Sequence, residues 1–134
     1  MKLSKLFAAG CSSLIFMSGA SATALTDLLQ QYQKQGAQQF DAQAGKTLWT
    51  HSFGVSSEGK DRRCATCHTE DLRQTGKHMK TGKSIEPLAP SVNTKRLTDV
   101  AEIEKWLKRN CEWTLGRECS AQEKGDFLSF ISMQ

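Results

Sequence analysis

The pentapeptide CATCH, at Cys64–His68, constrains this chain of 134 residues more than any other feature. Its two thiols lie one helical turn apart, so both can add to the vinyl groups of one porphyrin while the adjacent histidine reaches the iron. A zinc half-site would need two further ligands at matching spacing, and a thioredoxin-like pair would lie in a βαβ pattern that the sequence lacks. The motif therefore predicts one haem c, attached through Cys64 and Cys67, with His68 as the proximal iron ligand.

The first 24 residues have the pattern of a secretory signal peptide. Lys2 and Lys5 precede an apolar stretch, Leu6–Phe16, and small residues follow up to Ala24. The stretch is shorter than the roughly 20 residues that a spanning helix needs. We expect a signal peptide over 1–24 and an exported, periplasmic domain over 25–134. Cleavage at Cys11, as in a lipoprotein, is the minor alternative, because the apolar run continues past that cysteine.

Removal of the leader leaves four of the five cysteines. Two belong to the CATCH motif, and Cys111 and Cys119 remain for a disulfide in an oxidising compartment. The full chain has a formal charge of +4, of which the leader lysines contribute two. This weak charge gives no electrostatic case for nucleic-acid binding. The remaining length suits one small domain, which we expect to be a monomer.

Hydrophobic periodicity predicts helices and no strands. A helical pattern runs over Leu25–Trp49, and Gly45 within it predicts a close helix crossing. Asp99 can cap a second helix that ends near Asn110, and Ser120 with Glu123 forms a capping box for a last one. The sequence therefore predicts an all-α domain packed around one haem.

Two predicted loops, 50–63 and 75–90, flank the motif and are expected to run around the haem edge. Their basic side chains are typical of a solvated face, but beside a haem they could neutralise propionates or dock an acidic redox partner. The basic set is Arg62, Arg63, Arg73, Lys77, Lys80 and Lys83.

The sixth iron position is open from the residues alone. His51 and His78 are candidates, since imidazole is a good haem ligand, and ten residues of chain span roughly 33 Å when extended. A lysine, Asn110 or no ligand are the alternatives. After the leader, the chain has two methionines, Met79 and Met133. A loop residue and a frayed end explain these two better than iron ligation.

The order of motifs resembles class I cytochromes c. A helix containing Gly45, Leu48 and Trp49 precedes CATCH, and a last helix carries Phe127 and Leu128. Two features depart from that class: Cys64 follows Trp49 by fifteen positions, and the usual methionine ligand is missing.

A more specific resemblance combines CATCH, the missing methionine, the loop GKHMKTGKSIEPLAP and the pair Asn110–Cys111. Together these are similar to the sphaeroides haem protein family, a relative of cytochrome c″. In those families a disulfide lies just after the distal iron ligand, which is asparagine in the first and histidine in the second. The resemblance implies Asn110 as the sixth ligand and a disulfide between Cys111 and Cys119.

An amide oxygen is a hard, weak donor that suits ferric iron better than ferrous iron. The resemblance implies that Asn110 is released on reduction, so that O2, NO or CO can bind. The expected function is a small electron carrier with gas-binding ability, reduced by a dihaem cytochrome c or a membrane cytochrome. An enzyme that reduces or detoxifies O2 or NO, a gas sensor without turnover and a plain bis-histidine carrier are the alternatives. The sequence offers no placed catalytic acid, which weakens the enzyme reading.

Overall fold

A computed structural model describes residues 20–134, with side chains from residue 24 onward. Over this range the chain forms five helices and one short antiparallel hairpin, which confirms the predicted all-α class. The helices are α1 (Ala20–Lys34), α2 (Ala42–Thr50), α3 (Cys64–His68), α4 (Val100–Leu115) and α5 (Ala121–Ser132), and the strands are β1 (Gly76–Lys77) and β2 (Ser84–Ile85). Most of the predicted signal peptide lies outside the described residues.

No helix within residues 20–134 is both long enough and apolar enough to span a bilayer.

The prediction of one helical stretch over Leu25–Trp49 is wrong, because the stretch is two helices. Helix α1 ends at Lys34, and Gly36 takes a left-handed conformation with φ of 98°. Asp41 then begins α2, its side chain accepting a hydrogen bond from the backbone N–H of Gln43. A left-handed glycine and an aspartate N-cap are standard helix boundaries, and they override the apolar periodicity on either side.

Helix α4 runs five residues beyond its predicted end. Asn110 lies inside the helix, and Gly116, with φ of 77°, provides the left-handed cap after Leu115. Asparagine and glycine both favour that cap, and here the glycine takes it. The prediction of no strands is wrong at one place, because the loop predicted over 75–90 contains the β1–β2 hairpin, in which Gly76 pairs with Ile85.

Helices α2 and α5 cross at Gly45, as predicted. A Cβ atom at this position would collide with the backbone carbonyl of Asp126 and press on Phe130. The Asp126 carboxylate, itself buried, accepts a hydrogen bond of 2.8 Å from the Asp41 backbone N–H. The predicted capping box of α5 is also present, with Ser120 and Glu123 bonded reciprocally. This close crossing therefore joins α2 to the last helix.

Two hydrophobic clusters fill the interior. The first surrounds Trp49 and contains Leu72, Phe127, Phe130 and the disulfide cysteines, with Cys64 and Ala65 packed against it. The second lies between α1, α4 and α5 and contains Leu28, Tyr32, Ile103 and Leu128. The first cluster places the CATCH motif beside the end of α4, whereas the second fixes the start of α4.

Candidate haem site

The CATCH motif forms the short helix α3, which begins after the extended residue Arg63. The Thr66 hydroxyl donates a hydrogen bond of 2.8 Å to the carbonyl of Asp61 and ties the helix to the preceding loop. Cys67 is buried and Cys64 is partly buried, and both are free thiols. One helical turn separates them, which is the spacing that two thioether bonds to one porphyrin require.

His68 is held by the packing around it. The Trp49 ring lies 5.7 Å from the imidazole, and its Nε1 donates a hydrogen bond of 2.8 Å to the Thr69 carbonyl. Gly76 of β1 packs so closely on the Cys67 carbonyl and the His68 Cα that a Cβ atom has no room. Trp49 and Gly76 therefore position α3. We predicted the helix crossing near Trp49 but not this role, since no periodicity connects residue 49 or 76 with residue 68.

Burial sets the protonation of the motif. Desolvation, with smaller contributions from the positive charges of Arg96 and His78, lowers the pKa of His68 to about 4. Desolvation also raises the pKa of the free Cys64 thiol to about 12. His68 Nδ1 is buried and has no hydrogen-bond partner among the described residues. A neutral imidazole is the form that binds metals, so two thiols and His68 match the chemistry of a covalent haem.

Asn110 lies on an unusual face of α4. At about 100° per residue, its side chain is only about 20° around the helix from Ile103, which is buried. Asn110 is nevertheless exposed, and so is Trp106, at 44%, one turn earlier. Within residues 20–134, no hydrogen bond reaches the Asn110 side chain. Lys105 and Arg109 lie over the Trp106 ring, and Asn110, one turn further along the helix, is open to solvent.

The disulfide ties the end of α4 to the hydrophobic cluster that borders the motif. Cys111 and Cys119 are bonded, with their Cα atoms 5.5 Å apart. Both are buried in the first hydrophobic cluster, against which Cys64 also packs. Asn110 directly precedes Cys111 in the chain, so the structure gathers the predicted ligand, the disulfide and the thioether motif in one region.

The two alternative histidine ligands have local partners. His51 caps α2 through its backbone N–H, and its exposed ring packs edge-on against Phe53 at 4.7 Å. His78 lies in the hairpin turn, where its Nδ1 accepts a hydrogen bond of 3.2 Å from the backbone N–H of Thr81. The Thr81 hydroxyl also lies 3.0 Å from that nitrogen.

Comparison with known proteins adds to this geometry. Residues 35–131 match the family described as DUF1924, a domain of unknown function. The chain is 37% identical over 115 residues to cytochrome c-type protein SHP of Cereibacter sphaeroides, covering 86% of this chain and 88% of that protein. It is 42% identical over 87 residues to cytochrome c″ of Methylophilus methylotrophus, covering 65% of this chain but only 60% of the relative.

Two solved structures are similar. Oxidised SHP, described as an oxygen-binding cytochrome c, superposes with a TM-score of 0.73 at 37% identity, covering 82% of this chain and 96% of that structure. Oxidised cytochrome c″ of Methylophilus methylotrophus gives a TM-score of 0.71 at 32% identity, covering 84% and 95%.

The fold and the site define an all-α cytochrome c with one covalently bound haem c. The chain belongs to the DUF1924 family, and its relatives are the sphaeroides haem protein SHP and cytochrome c″. The predicted family, fold class and cofactor are thereby confirmed.

Proposed function

We propose that this protein is a periplasmic electron carrier whose reduced form binds a diatomic gas. Cys64 and Cys67 hold the haem through thioether bonds, and His68 is the proximal iron ligand. Asn110 is the distal ligand in the oxidised protein and leaves on reduction, so that O2, NO or CO can take its place. The buried disulfide between Cys111 and Cys119 keeps the segment that bears Asn110 beside the motif.

The carrying observation is the position of Asn110. Asn110 is exposed, its side chain has no hydrogen bond within the described residues, and it directly precedes the buried Cys111, which belongs to the cluster around the motif. Because solvent can satisfy an exposed amide, this side chain can bind a ligand without breaking a protein hydrogen bond. A ligand role fits this free side chain and its place beside the disulfide.

The chemistry divides between the cofactor and the chain. Haem supplies one-electron transfer and gas binding. His68 supplies a neutral imidazole whose orientation Trp49 and Gly76 fix. The Asn110 oxygen is a hard donor, preferred by ferric over ferrous iron, and its amide NH2 can donate a hydrogen bond to a bound gas after release.

The relatives and the sequence support the cellular role. SHP is described as an oxygen-binding cytochrome c, and the leader pattern over residues 1–24 is that of an exported protein. Export matches the disulfide, because oxidising compartments preserve such bonds. The electron donor that fits this setting is a dihaem cytochrome c or a membrane cytochrome.

Asn110→Ala tests the proposal. Optical and resonance Raman spectra should show a six-coordinate ferric native protein that becomes five-coordinate on reduction and binds CO. The variant should have an altered ferric spectrum and keep CO binding. Asn110→His should give a low-spin ferric spectrum, because imidazole is the stronger ligand. Glu112→Ala, on the opposite face of α4, is the matched control and should leave every spectrum unchanged.

A six-coordinate, CO-inert ferrous haem that Asn110→Ala does not affect would contradict the proposal. It would indicate a bis-histidine carrier with His51 or His78 as ligand, and His51→Ala and His78→Ala would then identify which.

A further inference from the structure

Positive charge is concentrated in two segments beside the CATCH helix. Residues 53–63 and 76–85 together contain six basic and two acidic side chains. Their net charge of +4 equals the formal charge of the whole chain, so the remaining residues sum to zero. The charge of this protein is therefore a local feature.

The two segments form one surface. Lys60, Lys77 and Lys80 line a single depression together with Thr66, which lies between the two thiols of the motif. Lys80 bridges the segments through an ion pair of 3.3 Å with Glu58. Lys83 belongs to the same hairpin, its carbonyl accepting from the His78 backbone N–H. We name Lys60, Lys77, Lys80 and Lys83 the lysine face.

Ion pairs neutralise little of the lysine face. Within the described residues, Lys60, Lys77 and Lys83 form no ion pair, and Lys80 pairs with Glu58. Clustered like charges repel one another and raise the local potential. The depression therefore presents a positive field with only Lys80 partly compensated.

Two apolar side chains lie among these charges. Val55 is 64% exposed in the loop that also carries Lys60, and Met79 lines the depression with the lysines. Protein interfaces combine an apolar centre with a polar rim. The apolar side chains among these lysines therefore also fit a protein partner.

We propose that the lysine face is the docking surface for an acidic electron-transfer protein. The inference rests on the proposed electron-carrier function and names the surface that serves it. The partner gives one electron and is oxidised by one electron, while the haem iron goes from ferric to ferrous. Docking at Thr66 places the partner against the helix that holds the cofactor, and the positive field attracts an acidic surface during the encounter.

The test removes three positive charges. In the holoprotein, Lys60→Gln, Lys77→Gln and Lys83→Gln are combined, and the control combines Lys34→Gln, Lys46→Gln and Lys95→Gln, which are exposed and lie outside the face. Stopped-flow reduction by a strongly acidic reduced flavodoxin is measured across ionic strength. The native rate should fall with salt. The face variant should react about tenfold more slowly at low salt with a flatter salt dependence, and the control should change less than about twofold.

Three outcomes would overturn the proposal. Equal losses in both variants would show a net-charge effect without a docking surface. No loss in either would show that the face takes no part. Cosedimentation of the native protein, but not the face variant, with phosphatidylglycerol vesicles, together with unchanged flavodoxin kinetics, would assign the face to a membrane. CO spectra of both variants report separately on the site around Asn110, so failure of the gas-binding proposal is distinguishable.

Discussion

The two sides of the candidate haem site are built differently. On the α3 side, His68 is packed against Trp49, and Gly76 leaves no room for even one added carbon. On the α4 side, Asn110 is exposed, without a hydrogen bond in the described part of the chain, and held through the neighbouring disulfide. The side that carries His68 is fixed by close packing, whereas the side that carries Asn110 is held by the disulfide.

The difference agrees with the roles proposed for the two ligands. A permanent ligand benefits from packing that admits one geometry, because close-packed interiors resist displacement. A ligand that leaves and returns needs a free side chain on a fixed support. The disulfide supplies the support without contacting the amide itself.

Removing the disulfide should have the largest effect of the changes considered, and it should act on the α4 side of the site. Cys111→Ser combined with Cys119→Ser removes the disulfide that closes a loop with a sequence separation of 8. The loss should lower the free energy of unfolding by about 2.5 kcal/mol by the chain-entropy estimate. Guanidinium denaturation of the holoprotein measures this loss. If the disulfide also holds Asn110 in place, the ferric spectrum of this variant should include a fraction of molecules in which Asn110 does not bind the iron. Unchanged redox-linked spectral changes would leave the disulfide a purely stabilising role.

An added methyl group should disturb the α3 side. Gly76→Ala forces a Cβ atom onto the Cys67 carbonyl and should cost about 2 kcal/mol, as overpacking of close-packed sites does. Denaturant titration measures the loss, and the haem spectrum should shift because His68 is displaced. Ser84→Ala, on the exposed partner strand, is the control. A Gly76→Ala protein as stable as this control would show that the contact relaxes without cost.

A change at the start of α4 should affect the stability of the protein but not its haem spectra. The buried Tyr32 hydroxyl donates a hydrogen bond of 2.5 Å to Glu104, which Lys124 also contacts at 2.9 Å. Tyr32→Phe should cost about 1 kcal/mol and leave the haem spectra unchanged. Altered ligand spectra would contradict this separation of the two ends of α4.

The same tyrosine gives a pH signature. Burial, followed by the hydrogen bond to and charge of Glu104, raises the pKa of Tyr32 well above its usual value. The folded state therefore keeps a proton that the unfolded state loses above about pH 10, so this contribution is complete below pH 10 and declines as the pH rises. Tyr32 is the only tyrosine, so absorbance titration reports it directly. A normal titration near pH 10 would refute the shift.

The motif chemistry and the helix crossing could be predicted from the sequence because they depend on local spacing. CATCH, the capping box at Ser120 and the glycine at position 45 each carry their own signal. The break between α1 and α2 was missed because apolar residues keep helical spacing on both sides of it. The end of α4 was misplaced because Asn110 and Gly116 both favour a left-handed cap, and only packing of Cys111 and Thr114 decides between them.

Two hydrogen bonds between distant residues could not be predicted. Trp49 bonds to Thr69 across 20 residues, and Tyr32 to Glu104 across 72 residues. No sequence motif marks either of these two hydrogen bonds. The lysine face is an intermediate case. Lys77, Lys80 and Lys83 were noted in the basic set but Lys60 was not, and their meeting around Thr66 depends on the hairpin, which was predicted as a loop.

Burial of the two motif thiols has a consequence for how the protein is made. In the finished fold Cys67 is 8% exposed, and Cys64 packs on the cluster that α5 completes. A protonated, enclosed thiol is a poor nucleophile. The motif emerges about fifty residues before α5 during synthesis. We therefore expect thioether formation at these cysteines to come before the last helix closes over them.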